Sequence, residues 1–127
     1  MSIHRLDEAI DTGPLLVQRR VEVTPADTAL SLYLRLEAAM VDLFVSQWAS
    51  LKDNLVAVQN QEGLGTHHWG RELGRLKALD LDETMTMRAA INRLRACTFE
   101  PHPGGEFTEN GRRYQIRIQI EQVDPCD

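Results

Sequence analysis

The stretch Ser2–Val21, SIHRLDEAIDTGPLLVQRRV, decides how this chain reads, and the rest is organised around it. Ile3 and Leu6 are apolar around His4 and Arg5, Asp7 and Glu8 interrupt them, and Asp11-Thr12-Gly13-Pro14 leads into the apolar run Leu15-Leu16-Val17. The pattern predicts strand, acidic loop, strand. Asp before Gly and Pro marks a tight turn, because Asp can bond its own backbone two residues on, Gly tolerates positive φ and Pro fixes φ. Asp11 therefore sits on a pre-shaped corner between two strands. Such a corner can hold a carboxylate at the rim of a sheet, where ligands meet open α/β folds.

Outward from the corner, Pro14 to Val23 reads as one extended strand, with Arg19 and Arg20 on opposite faces. Both are expected to be solvated, since Arg is mostly exposed; a substrate phosphate is the alternative. Thr24-Pro25-Ala26-Asp27-Thr28 is a helix-start signal, with Thr24 or Asp27 available as cap. Apolar residues then recur every three or four positions from Leu30 to Trp48, which predicts a long amphipathic helix from about Thr28 to Leu51. Its stripe is expected to face a core, with a partner-helix groove as the alternative. Leu55-Val56-Ala57-Val58 suggests a short strand, and the glycine-rich run from Gln59 to Gly74 a loop. His67 and His68 read as a polar pair: neighbours on an extended chain face opposite ways, and no Cys, Asp or Glu completes a ligand set at a recognised spacing, so no metal is expected.

Leu76 to Asp82 leads into a second helix capped by Thr84 or Thr86 and carrying a helical period through Cys97. Arg88, Arg93 and Arg95 are expected on its solvated face. Cys97 is expected to be a small buried hydrophobe. Phe99 to Gly105, with two prolines and two glycines, breaks regular structure. Beyond it, Glu106-Phe107-Thr108 and Tyr114 to Ile120 flank Asn110-Gly111, a two-residue turn suited to positive φ, so the end reads as a β-hairpin.

Composition bounds the function classes. With 127 residues, 43% hydrophobic and 26% charged, the chain is expected to be an ordinary globular domain. A net charge of −5 argues against a broad phosphate-binding surface, which disfavours nucleic acid. Cys97 and Cys126 are far apart, no apolar run approaches the roughly 20 residues that span a bilayer, and the start lacks a signal-peptide core; a cytoplasmic location and no membrane are expected.

Two segments carry a resemblance. Ser2-Ile3-His4, Asp7-Glu8-Ala9-Ile10 and Asp11-Thr12-Gly13-Pro14-Leu15-Leu16-Val17-Gln18 resemble the second signature of the folate-dependent formyltransferases, the family of methionyl-tRNA formyltransferase and the sugar N-formyltransferases. Leu94-Arg95-Ala96-Cys97-Thr98-Phe99 followed by Pro101-His102-Pro103-Gly104-Gly105 is similar to the R-A-x-x-x-P-x-P-G segment that closes their catalytic domain. The resemblance implies that Asp11 is the catalytic aspartate and that Asp7, Glu8, Ala9 and Ile10 lie in the loop that receives the pterin end of 10-formyltetrahydrofolate. It also implies an Asn-x-His pair upstream of the motif, which residues 1–127 do not contain. His4 is not that histidine.

The fold expected is α/β: residues 1–98 as the C-terminal part of a formyltransferase catalytic domain, and residues 99–127 as a Pro/Gly linker and terminal hairpin. The implied chemistry is attack of a substrate amine on the formyl carbon, with a carboxylate taking the proton and a His stabilising the oxyanion. A nucleotide-linked amino sugar is favoured over methionyl-tRNA as acceptor, because the short hairpin leaves no room for a tRNA-binding barrel. The alternative is a non-catalytic binding or interaction domain derived from such an enzyme. An uncovered sheet edge and helix face predict self-association or pairing with an N-terminal half.

Overall fold

The computed structural model describes residues 1–8, 10–61, 66 and 68–123. Its elements run β1 Ser2–His4, β2 Leu15–Gln18, α1 Ala29–Lys52, α2 Gly70–Lys77, α3 Met87–Cys97, β3 Gly105–Glu109 and β4 Arg112–Ile116, the mixed α/β content expected. They fall into two compact units, one of Met1–Glu22 with Leu34–Thr66, the other of Val23–Tyr33 with His67–Asp127.

In the first unit β1 and β2 pair antiparallel, Ser2 opposite Gln18 and Ile3 opposite Val17, with an irregularity between Ile3 and His4. The strand expected to reach Val23 stops at Gln18: two further bonds, from Arg19 N to Met1 O and from the Met1 terminal amine to Arg19 O, end the ladder. Among the described residues the other edge of β2 is met at one point, where Leu15 and Gln59 exchange both backbone bonds. Leu55–Val58, expected as a strand, therefore forms none; the segment comes into register only at Gln59.

Helix α1 begins one residue after its cap. Thr28 and Ser31 cap reciprocally, Ser31 N donating to Thr28 Oγ1 and Thr28 N to Ser31 Oγ. Asp27, expected as a possible cap, instead accepts from Thr24 N and Thr24 Oγ1 and so shapes the turn before the helix. At the other end Leu55 N reaches Ser50 O and Asn54 N reaches Leu51 O, with Asn54 at φ 54°, a left-handed Schellman ending. Leu43 is buried, but Leu34, Met40, Val41, Phe44, Val45 and Trp48 are exposed, Val45 at 68%. Successive steps of 100° place these six on one continuous side of the helix. A helix that is apolar beyond its covered stripe is built to be covered on a second side.

The second unit contains a helix that the glycine-rich reading of residues 59–74 missed. Helix α2 includes Gly70 and Gly74, which disfavour helix by about 1 kcal/mol each. Its C-terminal carbonyls are held from 17 residues away: Arg93 Nε donates to Leu76 O at 2.9 Å, and Nη2 to Ala78 O at 2.6 Å and Arg75 O at 3.3 Å. Arg93 Nη1 pairs with Glu83 at 2.6 Å. Arg93 is thus no solvated charge, and neither is Arg95, whose Nη1 donates to Thr24 O at 2.7 Å and Pro25 O at 3.2 Å. Charge-assisted bonds of this kind contribute about 1.5–3 kcal/mol. Arg93→Met is expected to lower stability by about 2 kcal/mol and to speed amide exchange selectively in α2; exchange unchanged there would show that the helix stands without it.

Thr86 caps α3 by accepting from Ala89 N, and Cys97 at its end is buried, as expected. Burial pushes the Cys97 thiol up, against the opposing charges of Lys77 and Arg93, which keeps it a poor nucleophile. The hairpin turns at Asn110 and Gly111, at φ 49° and 71°. Strand β4 ends at Ile116 rather than Ile120, because Ile118 N leaves the ladder for Thr98 Oγ1. Gly104 is obligatory: a Cβ there would lie 2.3 Å from Ile116 O. Among the described residues only Leu43 and Cys97 are buried apolar side chains.

Candidate functional site

The corner between β1 and β2 is more tightly specified than the rest of the first unit. Arg5 N donates to Pro14 O at 2.9 Å, which extends the ladder by one step and brings the two arms together over Gly13. Gly13 is buried there, and a Cβ would stand 1.7 Å from Arg5 O, so only glycine fits. Asp11 takes φ 56°, a left-handed conformation that Asp and Asn tolerate better than other side chains.

Three side chains brace it. Thr12 Oγ1 donates to the Asp7 carboxylate, at 2.7 and 2.9 Å from its two oxygens, tying the acidic loop across the turn. His4 Nδ1 lies 2.9 Å from Arg5 O, a carbonyl that can only accept, so Nδ1 carries the hydrogen. The other ring nitrogen, Nε2, then faces Asp11 Oδ1 at 3.5 Å, an ion pair whenever the imidazole is protonated. Gln61 Nε2 lies 2.9 Å from Asp11 O and 2.6 Å from Gly13 O.

Of the residues singled out from sequence, Asp7, Glu8, Ile10 and Asp11 are all exposed on this corner, and Asp11 offers 85% of its side chain to solvent. Ala9 lies outside the described residues, as do His67 and Cys126. His4 is the last residue of β1 and meets the corner through Asp11. Gln61 was not singled out; 50 positions from Asp11, it carries no local signal. Among the described residues no group of three or more His, Cys, Asp or Glu is arranged to hold a metal, and no helix is long and apolar enough to cross a membrane. An open groove of about 650 Å³ in the second unit, beside Lys77, Asp80 and Arg113, includes none of the corner residues.

The family models for this arrangement match in two places: formyl transferase over residues 1–47, and the N-formyltransferase dimerization C-terminal domain over residues 72–122. The chain belongs to the formyltransferase family. It is 27% identical over 128 residues to dTDP-4-amino-4,6-dideoxyglucose formyltransferase of Mycobacterium tuberculosis, covering 100% of this chain and 55% of that protein. It is 34% identical over 122 residues to methionyl-tRNA formyltransferase of Thermus thermophilus, covering 95% of this chain and 38% of that one. A 4-N formyltransferase crystal structure from Francisella tularensis superposes with a TM-score of 0.89 at 28% identity, over 96% of this formyltransferase chain and 51% of the other. The chain thus spans about half the length of the Mycobacterium tuberculosis and Francisella tularensis formyltransferases it matches.

Proposed function

We propose that this formyltransferase chain carries the base-bearing half of an active site that moves a formyl group from 10-formyltetrahydrofolate to the amine of a nucleotide-linked amino sugar, in the cytoplasm. The observation that carries the reading is Asp11, held at φ 56° on a corner closed over Gly13 and contacted by the Thr12 and His4 side chains. As the amine nitrogen bonds to the formyl carbon it must lose a proton, and Asp11 is the acceptor. His4 Nε2 faces the carboxylate and pairs with it whenever the imidazole is protonated. Both its ring nitrogens are engaged, toward Arg5 O and Asp11, so it is not the oxyanion donor. That role falls to an Asn-x-His pair on an N-terminal segment outside residues 1–127.

The loop at the corner fits the donor. Ile10 is 81% exposed beside Asp11, an apolar surface within an acidic loop, against which a pterin ring can lie, while Asp7 and Glu8 offer acceptors to its N–H groups. The exposure of Asp11 itself supports a second segment, since oxyanion stabilisation needs a water-excluded site. The exposed side of α1 supports the same partner. A second copy of the chain is the further partner, through residues 72–122.

The acceptor is tested by supplying the chain and its N-terminal segment with radiolabelled 10-formyltetrahydrofolate and either a dTDP-linked amino sugar or methionyl-tRNA. Label is expected in the sugar and not in the tRNA. Transfer to tRNA alone would overturn the acceptor, and transfer to neither would favour a non-catalytic interaction domain.

A further inference from the structure

We propose that Gln61 is a positioning residue for Asp11, acting through the backbone of the corner rather than on the carboxylate; this rests on the reading of Asp11 as the base. The two atoms facing the Gln61 amide are carbonyl oxygens, Asp11 O at 2.9 Å and Gly13 O at 2.6 Å, and neither can donate. The amide nitrogen must therefore be the group that points at them, and both of its hydrogens are used. One planar NH2 group thus grips the corner on either side of Thr12, fixing the peptide that follows Asp11 and the one that follows Gly13. Positive φ at Asp11 is the conformation an unbraced corner would abandon first, since it costs an L-residue energy that only surrounding contacts recover.

The grip is itself anchored. Leu15 and Gln59 exchange backbone bonds at 2.8 and 2.9 Å, so the segment carrying Gln61 is tied to β2 two residues before the clamp and cannot drift from the corner. Arg5 reaches the same segment's approach from the other arm, its Nη2 lying 3.4 Å from Asn54 Oδ1. The connection that follows α1 therefore returns to the site and sets the direction of Asp11. Glutamate at position 61 would have the same size and shape but would set an oxygen against two carbonyl oxygens, reversing each contact.

The test uses Gln61→Ala and Gln61→Glu, each alone and combined with Asp11→Asn. In the chain with its N-terminal segment, kcat is expected to fall about tenfold in Gln61→Ala and further in Gln61→Glu, with KM for donor and acceptor within about twofold, because displacing a reacting group by a fraction of an ångström acts on the chemical step. Added to Asp11→Asn, Gln61→Ala is expected to cost nothing more, the non-additivity of two residues that act as one. Undiminished kcat, or a full additive loss on top of Asp11→Asn, would overturn the proposal. A structural readout is independent of turnover. In the isotopically labelled chain the strong amide–Hα cross-peak within Asp11, which positive φ produces, is expected to weaken in both Gln61 variants while the β1–β2 cross-strand peaks persist. An unchanged Asp11 cross-peak would overturn the clamp even if the formyl-transfer reading fails.

Discussion

Replacing Asp11 by Asn, in the chain together with its N-terminal segment, is expected to lower kcat for formyl transfer by about 100-fold or more while the melting temperature changes little. The size follows from losing a general base, which ordinarily contributes 10²- to 10⁴-fold. The unchanged stability follows from the backbone: among residues with a side chain, Asn and Asp accept φ 56° most readily, so the corner keeps its shape without the carboxylate. Asp11→Ala separates the two contributions. It removes the base and also sets a β-carbon with no polar group in the left-handed region, which costs about 1–2 kcal/mol. Comparable kcat in both variants, with the melting temperature lowered only in Ala, is the expected pattern. Near-full turnover in Asp11→Asn would show that the corner is scaffold alone.

Gly13→Ala is expected to be the most damaging small substitution in the first unit. Its Cβ would fall 1.7 Å from Arg5 O and 2.7 Å from Arg5 C, both backbone atoms, and neither can move without breaking the adjacent bond from Arg5 N to Pro14 O. Forced strain of this kind belongs to the large-effect mechanisms, and a loss of at least about 3 kcal/mol is expected, seen as a lower urea midpoint. The control is Gly74→Ala in α2, where nothing lies within 4 Å of the added Cβ. There the same change is expected to stabilise by about 0.5–1 kcal/mol, since alanine is the better helix former. Equal effects at the two positions would contradict the packing described for the corner.

What the sequence disclosed were the local features. Asp11-Thr12-Gly13-Pro14, the period of α1, the Thr86 cap and the Asn110-Gly111 turn each have a cause within a few residues, and each element formed near where it was expected. The family signature made Asp11 conspicuous before any geometry was known. The misses share a different cause. Helix α2 contains two glycines and is held by Arg93 from another helix; β4 ends early because Thr98 draws Ile118 away; Gln61 reaches the corner across 50 positions. His4 was passed over because its partner lies across the loop and not along the strand. The ends of the Arg93, Thr98 and Gln61 contacts lie 15, 20 and 50 positions apart, so local periodicity and propensity carry no trace of them.

The exposed side of α1 connects the fold to the chemistry. A unit with few buried apolar side chains among the described residues and an apolar helix side open to solvent is expected to gain stability from whatever covers that side, and under the proposed function a segment carrying Asn-x-His would be the cover that also closes the space around Asp11. The most direct measurement of this account is formyl transfer by residues 1–127 and by an N-terminal formyltransferase segment carrying Asn-x-His, assayed separately and then mixed. The account predicts no transfer from either part and turnover on mixing that is lost with Asp11→Asn. Robust transfer by residues 1–127 alone, or turnover on mixing that survives Asp11→Asn, would contradict it.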